Sequence, residues 1–514
     1  MKKIILFLLV LGFGFIRPNI NTVEAANLEE IHHNHDVYYQ IFVRSFADSN
    51  GDGIGDLNGI TERLDYIKYL GATGIWLTPI HVAKGYHGYD IFDYYSIQRD
   101  YGTLQDLKHL IDEADKRGIK VILDMVFNHT VDRHPWFTTR ETRLNYYVFD
   151  NDGKYIDTFA YTRDLNLRND EVVNELIKVI HFYQDLGVKG FRFDAVKHYF
   201  EKPKYPGYST NPNQEGVAFM KKIRNAAKEK DPNVYFVSEY FLGDYKGYER
   251  FYEANDSMFN FDLYYKLTEE NRLAGLSLYL QQMYDSFKAI NPNYIDAPFL
   301  SNHDADRIAS FHDEDMLKAL SSIVLTLPGN PFIYYGEEIG MKGIRNSSET
   351  AVGVRGYNYY DPVNYVYTQN AGAYDEFLRL PFMWDESDPS LTTWFPSDSP
   401  RINEMFERVN LTYKPPIDVS NQAINPNSLF NHYKNLIKIR KENPALMYGD
   451  EFKHYPIDNG NIVAYERSYN QNGVSQRVLV IINISNQTYN VIEDTSDLYG
   501  SKTINPYQIY IGKY

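Results

Sequence analysis

The chain has 514 residues, a net charge of -16 and no cysteine. So large a negative balance repels nucleic-acid phosphates and anionic lipid headgroups, which excludes both as charge-driven partners. With 43% hydrophobic residues there is ample core material for the two or three domains expected at this length, and none of it is held by disulfides.

Residues 1–25 read as a secretory signal peptide. Lys2 and Lys3 precede an apolar run from Ile4 to Ile16, and Val23-Glu24-Ala25 supplies a small-residue exit. The run is too short to span a bilayer, so a secreted, extracellular protein without a membrane anchor is expected. Beyond it, β-rich runs alternate with amphipathic stretches. Strands are expected within Val37–Phe46, Ala72–Pro79, Lys120–Phe127, Phe191–Val196, Val234–Tyr240, Ala297–Asp304 and Asn330–Glu338. Helical stretches are expected within Ile60–Leu70, Leu104–Arg117, Asn169–Leu186, Val217–Lys230, Ser277–Ile290 and Met316–Leu327. Strand then helix, repeated about eight times, predicts an α/β fold of the (β/α)8 TIM-barrel type. A doubly wound sheet would share the alternation, but no Gly-rich phosphate loop follows the first strand.

Two regions interrupt the barrel pattern, which is assigned to 26–127 and 167–444. Residues 128–166, with the turn Asp150-Asn-Asp-Gly153 between Tyr- and Phe-rich runs, read as a small β-rich insertion after strand 3. Gly340 to about Asn427 is a long Asn-, Pro- and Tyr-rich connection, a length that usually carries function or is locally ordered. Residues 445–514 alternate apolar and polar positions and read as a C-terminal antiparallel β domain.

The predicted barrel strands end in polar groups: Asp124 with Asn128-His129, Arg192 with Asp194, Glu239, and His303-Asp304. Strand C-termini are where barrel enzymes place catalysis. Arg192 and Asp194 are two residues apart, hence on one face, and the guanidinium is expected to keep the carboxylate ionised. Two carboxyl groups roughly 5 Å apart, one ionised and one protonated, form the machinery of a retaining glycosidase. The 46 tyrosines suit such a protein, since their faces stack on sugar rings while the hydroxyl stays wet.

Taken in order, Asp124-Met-Val-Phe-Asn-His129, Gly190-Phe-Arg-Phe-Asp-Ala-Val-Lys-His198, Val237-Ser-Glu239 and Phe299-Leu-Ser-Asn-His-Asp304 resemble the four signature regions of the α-amylase family. Gly85-Tyr-His-Gly-Tyr-Asp90 and Asn330-Pro-Phe-Ile-Tyr-Tyr-Gly-Glu-Glu338 add two more matches. The resemblance runs from about Val37 to the C-terminus. It implies Asp194 as nucleophile, Glu239 as general acid/base and Asp304 as the third carboxylate. It implies Tyr89, His129, Arg192 and His303 as residues around the sugar at the cleavage point, and Lys197 and His198 on the leaving-group side. The substrate implied is an α-glucan, starch or maltooligosaccharides, cut internally at α-1,4 bonds. The alternative is an exo-acting α-glucosidase or oligo-1,6-glucosidase. Tyr86, where exo-acting relatives carry Asp, argues for an open cleft, whereas Gly336-Glu-Glu-Ile-Gly-Met341 has the style of the oligo-1,6-glucosidase branch. Thr162-Arg-Asp-Leu-Asn166 departs from that branch's Pro-Asp-Leu form.

The loop Asp48-Ser-Asn-Gly-Asp-Gly-Ile-Gly-Asp56 places oxygen ligands at alternate positions and Gly at the sixth, as calcium loops do. Gly59 stands where an EF-hand has its twelfth-position Glu, but the loop resembles the single calcium loop of the oligo-1,6-glucosidase branch. Asp48, Asn50, Asp52, the Ile54 carbonyl and Asp56 are the expected Ca2+ ligands. A second site at Asn128, Asp164 and the His198 carbonyl is left open. A non-enzymatic, amylase-like accessory protein is the competing class, disfavoured because all three acidic residues are present. A monomer is the default expectation.

Overall fold

The computed structural model describes residues 33–143, 145–159, 162–201, 210–241, 243–268, 273–345, 359–361, 366–368, 375–385, 387–394, 418–449, 451–457 and 460–514. The expected signal peptide lies outside them. Eight parallel strands form the central sheet: β1 (Tyr38–Ile41), β2 (Gly74–Leu77), β3 (Lys120–Met125), β4 (Gly190–Phe193), β5 (Tyr235–Ser238), β6 (Ser257–Phe259), β7 (Ile295–Ala297) and β8 (Phe332–Tyr334). Their order is β7-β6-β5-β4-β3-β2-β1-β8. A parallel bridge between Phe299 and Phe332, with the Phe332 amide donating to the Pro298 carbonyl at 2.9 Å, brings the ring to closure.

The barrel interior is filled rather than open. Tyr38, Trp76, Tyr235, Phe259, Phe299 and Phe332 form one buried cluster, in which Tyr38 stacks between Tyr235 (5.2 Å) and Phe332 (4.8 Å). Gly74 makes room for this stack, because a Cβ there would stand 2.4 Å from the Tyr38 ring. The outer layer includes α1 (Leu104–Lys116), α2 (Asp170–Leu186), α3 (Pro212–Lys230), α4 (Leu276–Ile290), α5 (Glu314–Thr326) and α6 (Leu429–Glu442). Local chemistry sets their ends. Thr103 and Asp106 form a reciprocal capping box on α1, and Gly187 stops α2 in the left-handed conformation.

Four elements depart from expectation. The strand expected within Ala297–Asp304 is instead Ile295–Ala297, so His303 and Asp304 lie in a turn beyond it. The run Val37–Phe46 is strand only to Ile41, and Val43–Phe46 is one helical turn. Its residues are claimed by the later connection: Ser45 Oγ donates to the Arg379 carbonyl, and Phe46 packs on Phe382 and Trp384. Tertiary contacts override β propensity here. The expected helix over Ile60–Leu70 is two, Leu57–Glu62 and Leu64–Leu70. They break at Arg63, whose side chain bonds Asp388 and lies over Trp384. Strand β6 had no counterpart in the sequence reading, three residues being too short for periodicity to register.

After β3, His129–Val131 pairs antiparallel with Thr162–Asp164, and isolated bridges join Tyr147 to Leu165 and Phe149 to Tyr155. At the other end of the chain, a five-stranded antiparallel sheet contains β9 (Glu451–His454), β10 (Ile462–Gln471), β11 (Val474–Asn483), β12 (Ser496–Tyr499) and β13 (Ile509–Lys513), in the order β9-β10-β11-β13-β12. Asn472 and Gly473, both at positive φ, form the two-residue turn between β10 and β11.

Two buried arginines tie this sheet and α6 to the barrel. Arg440 donates to the carbonyls of Leu325 (2.9 Å), Leu327 (2.7 Å) and Gly329, and Arg467 donates to Thr326 (2.7 Å) and Gly449. The carbonyls after Ile323 have no further helical turn to donate to them, so the guanidinium replaces it. Arg440→Met keeps the volume but orphans three buried acceptors. It is expected to lower unfolding stability by about 3 kcal/mol, read from the midpoint of urea denaturation.

Candidate active site

Arg192 projects from β4 into the carboxyl end of the barrel and is 1% exposed. Its Nη1 donates to Asp124 Oδ1 and to Asp194 Oδ1, both at 2.8 Å, and its Nη2 lies 2.9 Å from Glu239 Oε2. One planar cation thus gathers carboxylates from the ends of β3, β4 and β5. The Trp76 and Tyr89 rings lie 5.1 and 5.7 Å from the guanidinium carbon. Asp124 is further held by the Trp76 indole N–H (3.2 Å) and the Tyr89 hydroxyl (3.0 Å).

A single guanidinium does not offset the desolvation of three acids. Burial lifts Asp124 and Asp194 to about 6, with Arg192 opposing, and lifts Glu239 to about 7, with Arg192 opposing and Asp194 and Asp304 adding repulsion. This corrects the expectation that Arg192 alone keeps Asp194 low. The cation is shared, and burial leaves Asp194 above the ordinary carboxylate range despite it.

Asp304 differs. Desolvation raises it, but His303 and Arg379 outweigh that and hold it below the usual carboxylate range. Its Oδ2 lies 2.9 Å from His303 Nε2 and its Oδ1 accepts from Arg379 Nη2 at 2.9 Å, while 44% of its side chain remains exposed. Burial keeps His303 below its ordinary value and so neutral. The Gln40 amide donates to His303 Nδ1 at 2.7 Å, which leaves the ring proton on Nε2, facing Asp304 and the Tyr89 hydroxyl (2.5 Å). The Tyr89 and His303 rings stack at 5.3 Å.

The remaining expected residues lie around this centre. His129 reaches the Tyr89 carbonyl at 3.1 Å and packs on Phe159. Lys197 stands over the Tyr240 ring at 5.7 Å, and His198 packs between Phe159 and Phe241 with Glu201 3.5 Å away. Both therefore adjoin the residues that follow Glu239. Asn128 and Asp164 meet at 3.4 Å, with Thr158 donating to Asp164 through its amide and hydroxyl.

Sequence reasoning missed Gln40, Asp375 and Arg379. Gln40 had a signal, a lone amide in an apolar strand. Asp375 and Arg379 had none, lying in the long connection. Tyr86 donates to Asp375 and accepts from Arg379 Nη1 at 3.1 Å, and Asp375 pairs with Arg379 at 2.9 Å. The argument that Tyr86 leaves this side without a carboxylate therefore fails: Asp375 supplies one from elsewhere in the chain.

In the loop after β1, Asp48 accepts the amides of Asn50 (3.0 Å), Gly51 (2.8 Å) and Gly53 (2.7 Å). Asn50 accepts that of Asp52 (2.9 Å), and Asp52 that of Ile54 (2.8 Å). Asp56 caps the following helix through the Gly59 amide at 2.7 Å. The donor set, hard oxygens with lone pairs to spare, fits calcium chemically. Among the described residues no group of three or more acidic or histidine side chains is gathered for a metal.

The raised Glu239 makes stability depend on pH. Its pKa rises from 4.5 in the ordinary state to about 7 in the folded one, so the folded protein holds a proton that the unfolded chain releases. That contribution is complete below the unfolded value and is lost as pH climbs through about 7. Between about pH 5 and pH 8 the parent is expected to lose about 2.5 kcal/mol relative to Glu239→Gln, measured by urea unfolding across pH. Parallel pH profiles would contradict this.

Comparison with known proteins agrees with this geometry. The family model described as "Alpha amylase, catalytic domain" matches residues 40–160 and 145–449. "Alpha-amylase 3" of Dictyoglomus thermophilum is 34% identical over 476 residues, 87% of this chain and 84% of that protein. An oligo-1,6-glucosidase of Parageobacillus thermoglucosidasius is 29% identical over 526 residues, covering 88% of this chain and 90% of that one. Among solved structures, Eubacterium rectale Amy13B superposes with a TM-score of 0.76 at 30% identity, covering 93% of this chain and 95% of that one. The chain belongs to the α-amylase family of glycoside hydrolases.

Proposed function

We propose that this enzyme hydrolyses α-1,4-glucosidic bonds within starch and related α-glucans, with retention at the anomeric carbon. The observation that carries the reading is the Arg192 fork, which holds Asp194 and Glu239 side by side at the carboxyl ends of neighbouring strands. Their unequal acidity divides the labour. Near pH 6 to 7 Asp194 is the more ionised of the two and Glu239 the more protonated.

Glu239 gives its proton to the glycosidic oxygen as the leaving sugar departs, and Asp194 attacks C1 to form a covalent glycosyl ester. Glu239, now ionised, takes a proton from water, which attacks C1 and releases Asp194. Asp304, kept ionised by Arg379 and His303, stabilises positive charge at the ring and receives sugar hydroxyls. Tyr89 offers a ring face at the cleavage point, with His129 and His303 beside it. Lys197 and His198, next to Tyr240 and Phe241, receive the leaving chain. The exo-acting alternative, an α-glucosidase or oligo-1,6-glucosidase, is favoured by one observation, the Tyr86–Asp375–Arg379 cluster that could close one end of the cleft.

Asp194→Asn is expected to lower starch hydrolysis by at least about three orders of magnitude, followed by reducing-sugar release. The parent is expected to yield mixed maltooligosaccharides from the first minutes, whereas glucose alone would transfer the assignment to the exo enzyme.

The same reading includes secretion, action as a monomer, and one calcium ion held by Asp48, Asn50, Asp52, the Ile54 carbonyl and Asp56. The ion would fix the loop after β1 and take no part in the chemistry. Chelation is expected to lower the thermal midpoint by about 5 °C, with one calcium per chain by elemental analysis before treatment. An unchanged midpoint with no metal found removes the ion.

A further inference from the structure

Ala195, next to Asp194, has φ 49° and ψ 42°, a left-handed backbone that side chains other than those of Asn and Asp rarely adopt. The other such non-glycine residues among those described are Asn145, in the segment after β3, and Asn472 and Tyr507, near the C-terminus. Ala195 alone of the four sits among the carboxylates. Backbone strain of this kind persists where surrounding structure enforces it, often at a site of function.

The turn at Ala195 points two successive amides at Glu239. The Ala195 N–H donates to Oε2 at 3.0 Å and the Val196 N–H donates to the main-chain oxygen at 3.0 Å. Arg192 Nη2 is 2.9 Å from the same Oε2. Both side-chain contacts thus fall on one oxygen, and a carboxyl group that accepts the Ala195 N–H and faces the guanidinium at Oε2 carries its proton on Oε1. An acid whose proton alternated between the two oxygens would face the glycosidic oxygen correctly only part of the time. The geometry points to Ala195 as a positioning residue, its left-handed main chain fixing Oε2 of Glu239 and confining the acid proton to Oε1. This rests on Glu239 being the general acid/base.

The amide also favours the ionised form of Glu239, since it donates to the carboxylate. Its removal therefore shifts the group's titration upward. The test replaces the Ala195 amide by an ester, with L-lactic acid at position 195, which deletes the N–H and retains the methyl. The alkaline limb of kcat/KM on a maltooligosaccharide is expected to move up by about one pH unit, with kcat reduced about tenfold. Turnover of the corresponding α-glycosyl fluoride, whose leaving group needs no proton, is expected to fall less than twofold. An unmoved limb overturns the proposal, because a merely structural role would lower the rate without shifting the profile.

Ala195→Gly keeps the amide and accepts the backbone, so its limb is expected to stay in place. A shift as large as the ester's would overturn the role given to the N–H. If the ester protein does not fold, Ala195→Val, which keeps the amide but resists the left-handed conformation, is expected to shift the limb upward, and an unmoved limb there overturns the proposal. Glu239→Gln separates the two levels. Loss of oligosaccharide hydrolysis with a retained stoichiometric burst of fluoride, steady turnover being slowed because the attacking water then lacks its base, upholds the acid/base reading and leaves the ester to decide on Ala195. Full hydrolysis by Glu239→Gln overturns both.

Discussion

The arrangement depends on one guanidinium in a place without water. Arg192 faces Asp124, Asp194 and Glu239 at 2.8–2.9 Å, and among the described residues no other cation touches all three. Removing such a group from a buried cluster would leave like charges at hydrogen-bond range, which a low-dielectric interior does not tolerate. Arg192 therefore fixes geometry and protonation together. Because its charge is divided three ways, burial still leaves the acids above their ordinary values, and Asp194 and Glu239 differ in neighbours, Asp194 facing Asp124 and Glu239 accepting the Ala195 amide. An arginine with a single carboxylate partner would have pinned that partner as an anion and left the second acid elsewhere.

The barrel makes this cluster affordable. Rigid aromatic packing beneath it, from Tyr38 through Trp76 to Phe259, sets the strand ends so that side chains from β3, β4 and β5 converge without a flexible loop between them. Around that floor lies a second set of bonds that orients rather than reacts. Gln40 sets the tautomer of His303, Arg379 holds Asp304, and the Ala195 and Val196 amides hold Glu239. Asp304 stays low while the others rise because His303 and Arg379, the latter shared with Asp375, outweigh its desolvation.

The side of the site around Tyr86 and Asp304 is built by the long connection. Asp375 and Arg379 come from far along the chain and meet Tyr86 at the tip of the segment after β2. Phe382 and Trp384 from the same connection pack on the helical turn that replaced the expected end of the first strand. One segment thus lines this side of the site and sets local structure near the N-terminus.

Much of the core was legible in the amino-acid order itself. β-rich runs alternating with amphipathic ones indicate layered α/β packing, and acids just past strand ends, Asp194 and Glu239, announce a site because polar groups there are costly unless they pair or work. Those are local properties, set by side-chain period and by the residue at a strand's end. What tertiary structure alone decided was long-range. It set the sharing of Arg192 among three acids, and hence their order of ionisation. It also brought Asp375 to Tyr86, turned Val43–Phe46 into a helical turn and made a barrel strand of Ser257–Phe259. Each depends on distances between residues tens to hundreds of positions apart, and both burial energies and Coulomb terms vary with those distances rather than with sequence separation.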